Sequence, residues 1–409
     1  MSLFRRVSLQ SILKSSVRAI GAILCISFIL LGTSSCSEAN EEDTVIPADY
    51  GTYGAGLAEE IVTRFPYRKA YTQGEKSTGE YIRDTFKSLG YTVEEQTFSS
   101  IVGIGTSTNY IIRIDGEGFM IPDGSGIYRS VDKQVIVGAH YDTIYGSQDA
   151  ATYPTFNGIQ DNAAGIASLL TLAKEIKGKS FGYDVVLVAF GAGNDFYAGA
   201  NYFVSQMSDQ ELTATDAMYC VESIYAGDKL YANAGMNSLD EKMKYSMRRK
   251  LYEAYDVVYE SQLSSLYGVD LLYNQCGQTT DLDGDNNLEI YREVTLTLSD
   301  YVPFDRAGIP IVFFESYDYN FPTIEEMKET KNLDLQENGG LIRRTNYDSY
   351  NTLVGSLPER QLEKRINATA FIILSAIEKG NHAGIKKSEY VEGITVAPTP
   401  SVTTDSSQA

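Results

Sequence analysis

The sequence has no tryptophan, only 2 histidines and 4 cysteines among 409 residues, and 34 lysines and arginines against 54 aspartates and glutamates. Each shortage excludes something. Histidine is the commonest metal ligand and general base, so a mechanism needing three of them is ruled out, and His140 and His382 carry all the imidazole chemistry available. The formal charge of -20 argues against nucleic acid and anionic membrane surfaces as electrostatic partners. What is present is a chain 43% hydrophobic, long enough for one large or two modest domains and unlike a disordered or fibrous one.

The first 35 residues read as a targeting segment outside the fold. Arg5, Arg6, Lys14 and Arg18 precede the apolar stretch Ala19 to Leu31, then Gly32-Thr33-Ser34-Ser35 and Cys36, and no acid occurs before Glu38. At ~1.5 Å per residue that stretch reaches ~20 Å as a helix, short of the ~30 Å a membrane core requires. A secretory signal fits better than a membrane anchor helix. Cys36 sits where bacterial lipoprotein signals place the acylated cysteine, which predicts a lipid anchor in the cell envelope, at the outer membrane, periplasmic or surface-exposed; cleavage nearby to a soluble secreted protein is the alternative. Residues 36–50, with Glu38, Glu41, Glu42 and Asp43, read as an acidic tether. Cys25 leaves with the signal, so Cys220 and Cys276 either pair in an oxidising compartment or remain buried thiols.

Residues 51–385 alternate strand-like and helix-like segments, and 386–409, rich in Pro, Ser and Thr from Val391 onward, read as a disordered tail. Ile82, Phe86 and Leu89 predict a helix over Ser77–Leu89 stopped by Gly90. Tyr110–Ile112, Gln134–Val137, Val185–Phe190 and Ile309–Phe314 read as buried strands. Ile166, Leu169, Leu170 and Ala173 predict a helix beginning near Asp161, and Ser356 to Glu359 reads as a capping box opening a last helix that closes at Gly380. The alternation predicts an α/β fold: a central mixed, mostly parallel twisted sheet with helices on both faces. Ligands in such sheets gather at the carboxyl ends of strands, so the polar residues just past each strand matter most.

His140 ends an apolar strand and Asp142 follows two residues later, a spacing that puts both on one side, where the carboxylate can orient the imidazole for a metal. A hydrogen-bonded core histidine is the plainer explanation of that pair alone. Asp161 heads an apolar helix, where it serves equally as an N-cap. Glu222 stands between apolar neighbours at another strand end, an unlikely place for ordinary surface.

As a set, the segments from Arg64 to Tyr91, GAHYDT, DNAAGIASLL and SDYVPFDRAGIPIVFFE resemble the zinc-dependent aminopeptidase family that includes bacterial leucyl aminopeptidases, glutaminyl cyclases and the transferrin receptor ectodomain. The resemblance spans roughly Tyr50 to Gly380. It implies a zinc aminopeptidase-like fold, hydrolysis at peptide N-termini, and two metal ions bridged by an aspartate that matches Asp161. One ion would also take His140 and Glu222. The other would need the second residue of a Glu-Glu pair and a distant histidine, the first Glu being the general base. Here the pair falls on Gly193 and Asn194 or, one residue along, on Asn194 and Asp195, and the distant position holds Tyr347 or Asn346. The resemblance therefore implies one surviving zinc site at His140, Asp161 and Glu222, with Asp142 orienting His140 and Asp195 the available substitute base.

Two functions follow: an exported metallopeptidase weakened or silenced by the incomplete site, or a non-catalytic surface lipoprotein whose cleft binds a peptide, glycan or partner protein. The expected partners are a peptide or protein and, through Cys36, the membrane. Separately, Asp281, Asp283 and Asp285 alternate like the start of a calcium loop, although Arg292 stands where its closing acid belongs, and an acidic turn explains the run as well.

Overall fold

The structure is a computed structural model that describes Ile46 and residues 50–239, 244–275, 279–280, 289–290, 293, 295–320 and 326–392. The signal, Cys36, most of the tether, Cys276, the acidic run containing Asp281, Asp283 and Asp285, and the tail from residue 393 lie outside the described residues.

Thirteen strands are described: β1 (Glu94–Ser99), β2 (Thr106–Ile114), β3 (Phe119–Pro122), β4 (Tyr128–Val131), β5 (Gln134–His140), β6 (Asp184–Phe190), β7 (Thr215–Val221), β8 (Lys229–Asn233), β9 (Leu271–Leu272), β10 (Thr279–Thr280), β11 (Glu289–Ile290), β12 (Ile311–Tyr317) and β13 (Ile385–Lys386). Eight form the main sheet in the order β1-β2-β6-β5-β7-β12-β8-β9. The central four, β6-β5-β7-β12, run parallel, with antiparallel neighbours at β2 and β8. The expected mixed, mostly parallel sheet is present.

Its centre is buried on both faces, so alternate residues feed two cores. Val135, Val137, Ala139, Leu187, Tyr219 and Val221 join the larger core beneath the helices Tyr50–Arg64, Ala164–Ile176 and Gln361–Lys379. Ile136, Val188, Met218, Cys220 and Phe313 join the smaller one, which holds Phe203, Tyr301 and Phe304. The β-branched content of β5 and β6 suits such a doubly covered surface. Gly138 is the exception in β5: a Cβ there would lie 2.3 Å from the Phe190 ring.

Three boundaries differ from the sequence expectation. The helix expected over Ser77–Leu89 starts earlier, at Gln73, and ends with Gly90 at φ 86°. Ser356 opens no helix: it closes Tyr350–Ser356, its hydroxyl donates to Thr352 O, and the final helix spans Gln361–Lys379. Pro358 explains the gap, because it holds Leu357 extended at ψ 161°. The ordered chain also passes the boundary drawn at 385, since Ile385 and Lys386 pair with Met120 and Phe119 and a 3-10 turn follows at Lys387–Glu389. Cys220 is a buried free thiol. Among the described residues no helix is long and apolar enough to cross a membrane.

Candidate metal centre

The topology reverses at β5: the chain leaves β5 for β6 on one side and returns to β7 on the other. His140 ends β5, and Glu222 directly follows β7, its backbone N–H still donating to Phe314 O at 3.0 Å. The two-residue alternation turns both toward the smaller core's side of the sheet. Asp161 comes from the turn Ile159–Ala163 that feeds the helix Ala164–Ile176. It is no N-cap. Its φ of -119° and ψ of 86° lie outside the helical region, and the capping position belongs to Ala163.

Donor atoms of His140, Asp161 and Glu222 lie within 4.8 Å of one another, and all three residues are buried. His140 Nε2 is 3.2 Å from Asp161 Oδ1 and 4.0 Å from Glu222 Oε2. Asp161 Oδ1 is buried and is approached by His140 Nε2 at 3.2 Å. Two carboxylates buried side by side repel one another and are costly to desolvate, and a cation among these three atoms offsets that cost. One nitrogen and two oxygens suit zinc, so the residues fit the metal.

Neighbouring groups fix each ligand. Asp142 lies with its Oδ1 3.2 Å from His140 Nδ1, and its carboxylate accepts from the backbone N–H of Gly193 (2.6 Å) and Asn194 (3.0 Å). The Asn162 side chain grips Glu222 from both flanks, donating to Val221 O at 2.9 Å and accepting from Ser223 N at 3.0 Å. Asp348 accepts from the backbone N–H of Gln160 (2.7 Å) and Asp161 (3.2 Å). Fully buried Arg68 donates to the carbonyls of Phe65, Tyr141, Asn157 and Gly158, tying the opening segment to both ligand loops.

The charges reinforce one another. Burial opposes a charged His140, but Asp142 and Asp161 outweigh it and hold the imidazole well above its usual value. Burial likewise pushes the Asp161 carboxyl up, and His140, Arg344 and Arg343 overcome it and keep Asp161 ionised. For Glu222 burial prevails, raising the carboxyl despite His140 and Arg343.

The other expected site positions add no carboxylate or imidazole to this group. Gly193 has no room for a side chain, since a Cβ there would sit 2.4 Å from His140 Cβ. Asn194 is half-buried, and its Oδ1 accepts from Arg344 Nη2 at 3.2 Å. Asp195 is held by the Tyr71 hydroxyl at 2.7 Å and is not among the converging donors. Tyr347 directs its hydroxyl to Glu337 at 2.6 Å, and Asn346 is exposed. His382 is exposed beyond the last helix.

Sequence reasoning passed over Asp300, Arg343 and Arg344. Asp300 is buried with neither carboxyl oxygen hydrogen-bonded, and burial pushes it up to about 7, against the pull of His140 and helped by the charges of Glu222, Asp142 and Asp161. The signal was an acid within the SDYVPF segment, just before the helix Val302–Arg306. Arg343 Nη1 is 3.4 Å from Glu222 Oε1 and Arg344 Nε is 3.9 Å from Asp161 Oδ2. A search for ligands skips cations, which is why the pair escaped notice beside the expected histidine position.

A buried imidazole and two carboxylates converge at the switch point of this sheet, a donor set that can hold a metal ion. The profile of peptidase family M28 matches residues 124–338, more than half of the chain, and the chain belongs to that family. It is 25% identical over 338 residues to the alkaline phosphatase isozyme conversion protein of Escherichia coli (strain K12), covering 80% of this chain and 90% of that one. The fold is shared with a zinc aminopeptidase from Bacillus subtilis (TM-score 0.52, 14% identity, 85% of this chain and 100% of that chain). It is shared also with the glutaminyl cyclase of Porphyromonas gingivalis (TM-score 0.51, 18% identity, 81% and 99%).

Proposed function

We propose that this chain is an exported, single-zinc peptidase that cleaves at peptide N-termini with a centre less complete than a two-metal site. The observation that carries the reading is the convergence of His140 Nε2, Glu222 Oε2 and the buried Asp161 Oδ1. His140, Asp161 and Glu222 hold the ion, and Asp142 orients the imidazole. A zinc ion bound there supplies polarisation of the scissile carbonyl or of water. Asp300, buried and electrostatically linked to His140, Glu222, Asp142 and Asp161, is the carboxyl we assign to take the proton of the attacking water and return it to the departing amine. Burial raises this carboxyl to about 7 in the metal-free protein, so it is suited to holding a proton between the two transfers. Membership of a peptidase family and the aminopeptidase-type fold support the substrate class.

A second reading, a non-catalytic cleft that binds a peptide, glycan or partner protein, is favoured by the side chains at the base position: none at Gly193, an amide at Asn194, and a carboxylate at Asp195 tied to Tyr71. Metal analysis of the purified protein together with an aminoacyl-anilide assay separates the two. One zinc per chain with turnover that vanishes in His140→Ala is the expected result; absence of both zinc and turnover leaves the binding reading.

The envelope location rests on the basic flank, apolar centre and Cys36 of the N-terminal segment. Cys36→Ala is expected to stop fatty-acid labelling and release the protein from membranes. Labelling that survives the substitution would refute the anchor.

A further inference from the structure

Each of the two ligand carboxylates turns one oxygen inward and one outward. Asp161 Oδ1 and Glu222 Oε2 face His140 Nε2, whereas Asp161 Oδ2 faces Arg344 and Glu222 Oε1 faces Arg343. The inward oxygens are available to one divalent ion. A second ion sharing these carboxylates would need the outward oxygens, beside which two guanidinium groups already stand. Fixed positive charge at that position repels another cation.

The two arginines differ in what holds them. Arg343 is mostly buried, reaches Glu329 Oε1 at 3.2 Å as well as Glu222, and lies 5.7 Å from the centre of the Tyr317 ring. Arg344 has a fixed backbone and a loose head. Its carbonyl accepts from the Tyr145 hydroxyl at 2.9 Å, and Asp348 ties the same loop to the Asp161 turn. Its φ of 62° is the left-handed region, which directs the side chain differently from its neighbours. The side chain is 60% exposed, with its guanidinium 3.9 Å from Asp161 and bonded to the Asn194 amide oxygen. Those are weak partners for a group that binds carboxylates in a two-pronged fork.

We propose that Arg344 stands in for a second metal ion, so that the centre pairs one divalent ion with a guanidinium, and that this guanidinium selects peptides with an acidic side chain next to the reacting bond. With the ligand carboxylates neutralised by one ion, Arg344 is left as excess positive charge at the mouth. An incoming carboxylate replaces the Asn194 oxygen and gains a charge-assisted bond; a lysine side chain meets repulsion. The substrate class rests on the peptidase reading above, whereas the preference for an anionic group does not require turnover.

The test uses the mature full-length protein, zinc-loaded, and calorimetric binding of the tripeptides Ala-Glu-Ala, Ala-Gln-Ala and Ala-Lys-Ala. Wild type is expected to bind the glutamyl peptide about tenfold more tightly than the glutaminyl one. Arg344→Gln should abolish that difference and Arg344→Lys should retain part of it. Because the side chain is exposed, loss of fold is not expected, and thermal melting checks this. Zinc titration of metal-stripped wild type should give one ion per chain, and Arg344→Glu, which adds a carboxylate there, should raise it toward two. Equal or undetectable binding of the glutamyl and glutaminyl peptides by wild type, a preference that survives in Arg344→Gln, or two ions in wild type overturns the proposal. Peptide preference without turnover refutes only the peptidase reading; turnover without preference refutes only the role of Arg344.

Discussion

The metal centre has two halves that differ in what carries them. His140 and Glu222 stand on adjacent parallel strands, and Asp161 on a turn welded to the core through Asn162, Gln160 and Asp348. The facing half is carried by two loops, residues 191–197 and 343–348. Their side chains toward the group are an amide at Asn194 and guanidinium groups at Arg343 and Arg344. Ligands on strands cannot change without disturbing the packing around them, whereas loop side chains can. The loops are nevertheless well anchored. Glu75 accepts from Ala192 N at 2.9 Å and from the Ser107 hydroxyl, and Asp142 holds Gly193 and Asn194.

The largest effect should come from Asp300, the buried carboxyl whose charge acts on His140. Asp300→Asn keeps the shape and removes the base, so kcat is expected to fall ~10²–10⁴-fold while zinc content stays at the wild-type value. Turnover within a few fold of wild type would remove Asp300 from the chemistry.

Asp142 is the joint between the halves, which makes Asp142→Asn the next most damaging change. An amide in its place cannot accept two backbone N–H bonds and a proton from His140 Nδ1 with a full negative charge. Zinc affinity should drop ~10–100-fold, the usual effect of losing a carboxylate behind a metal-bound histidine. Competition titration with a chromogenic chelator reads it directly.

A third expectation concerns pH. Without metal, His140 is held protonated well above its usual value, so a metal must displace a proton to bind Nε2. Zinc affinity should therefore climb about tenfold per pH unit until the raised value is passed. Stability of the metal-free protein should move the other way. His140, raised by folding, contributes stability below its unfolded value of ~6.5 that is lost as pH rises through the folded one. Asp300, raised to about 7, keeps its proton in the folded state where the unfolded chain has lost it, so its unfavourable contribution grows from pH ~4 to ~7. Urea unfolding of stripped and zinc-loaded protein across that range should give diverging curves; parallel curves would contradict the arrangement.

How legible each part was in the sequence follows the same division. The α/β class and the central strands were readable because β5, β6 and β7 are buried on both faces and appear as short apolar runs bounded by polar strand ends. His140, Asp161 and Glu222 were readable for the same reason, since their positions follow from where those runs stop. Asp300 was harder: nothing local shows that its carboxyl is desolvated, because the residues enclosing it come from other segments. The arginines were hidden by chemistry, for only the folded chain reveals that they oppose Asp161 and Glu222. The roles of Gly193 and Tyr347 were also beyond reach, one decided by a clash with His140 and the other by a partner at Glu337.

The smallest effect is expected at Asp195, and it tests the loop half most directly. Sequence reasoning offered Asp195 as a substitute base. In the fold its Oδ2 accepts from the Tyr71 hydroxyl, and that phenol is itself raised by burial and by the Asp195 charge, so it keeps its proton and the bond. A base held in this way by a phenol has little freedom to turn to a water at His140, Asp161 and Glu222. Asp195→Asn leaves an oxygen for Tyr71 to bond and removes only the charge. Turnover should change no more than about threefold, against the ~10²–10⁴-fold that loss of a true base produces. A fall of the larger size, with Asp300→Asn near wild type, would exchange the roles of the two aspartates and move the chemistry from the sheet-borne half to the loops.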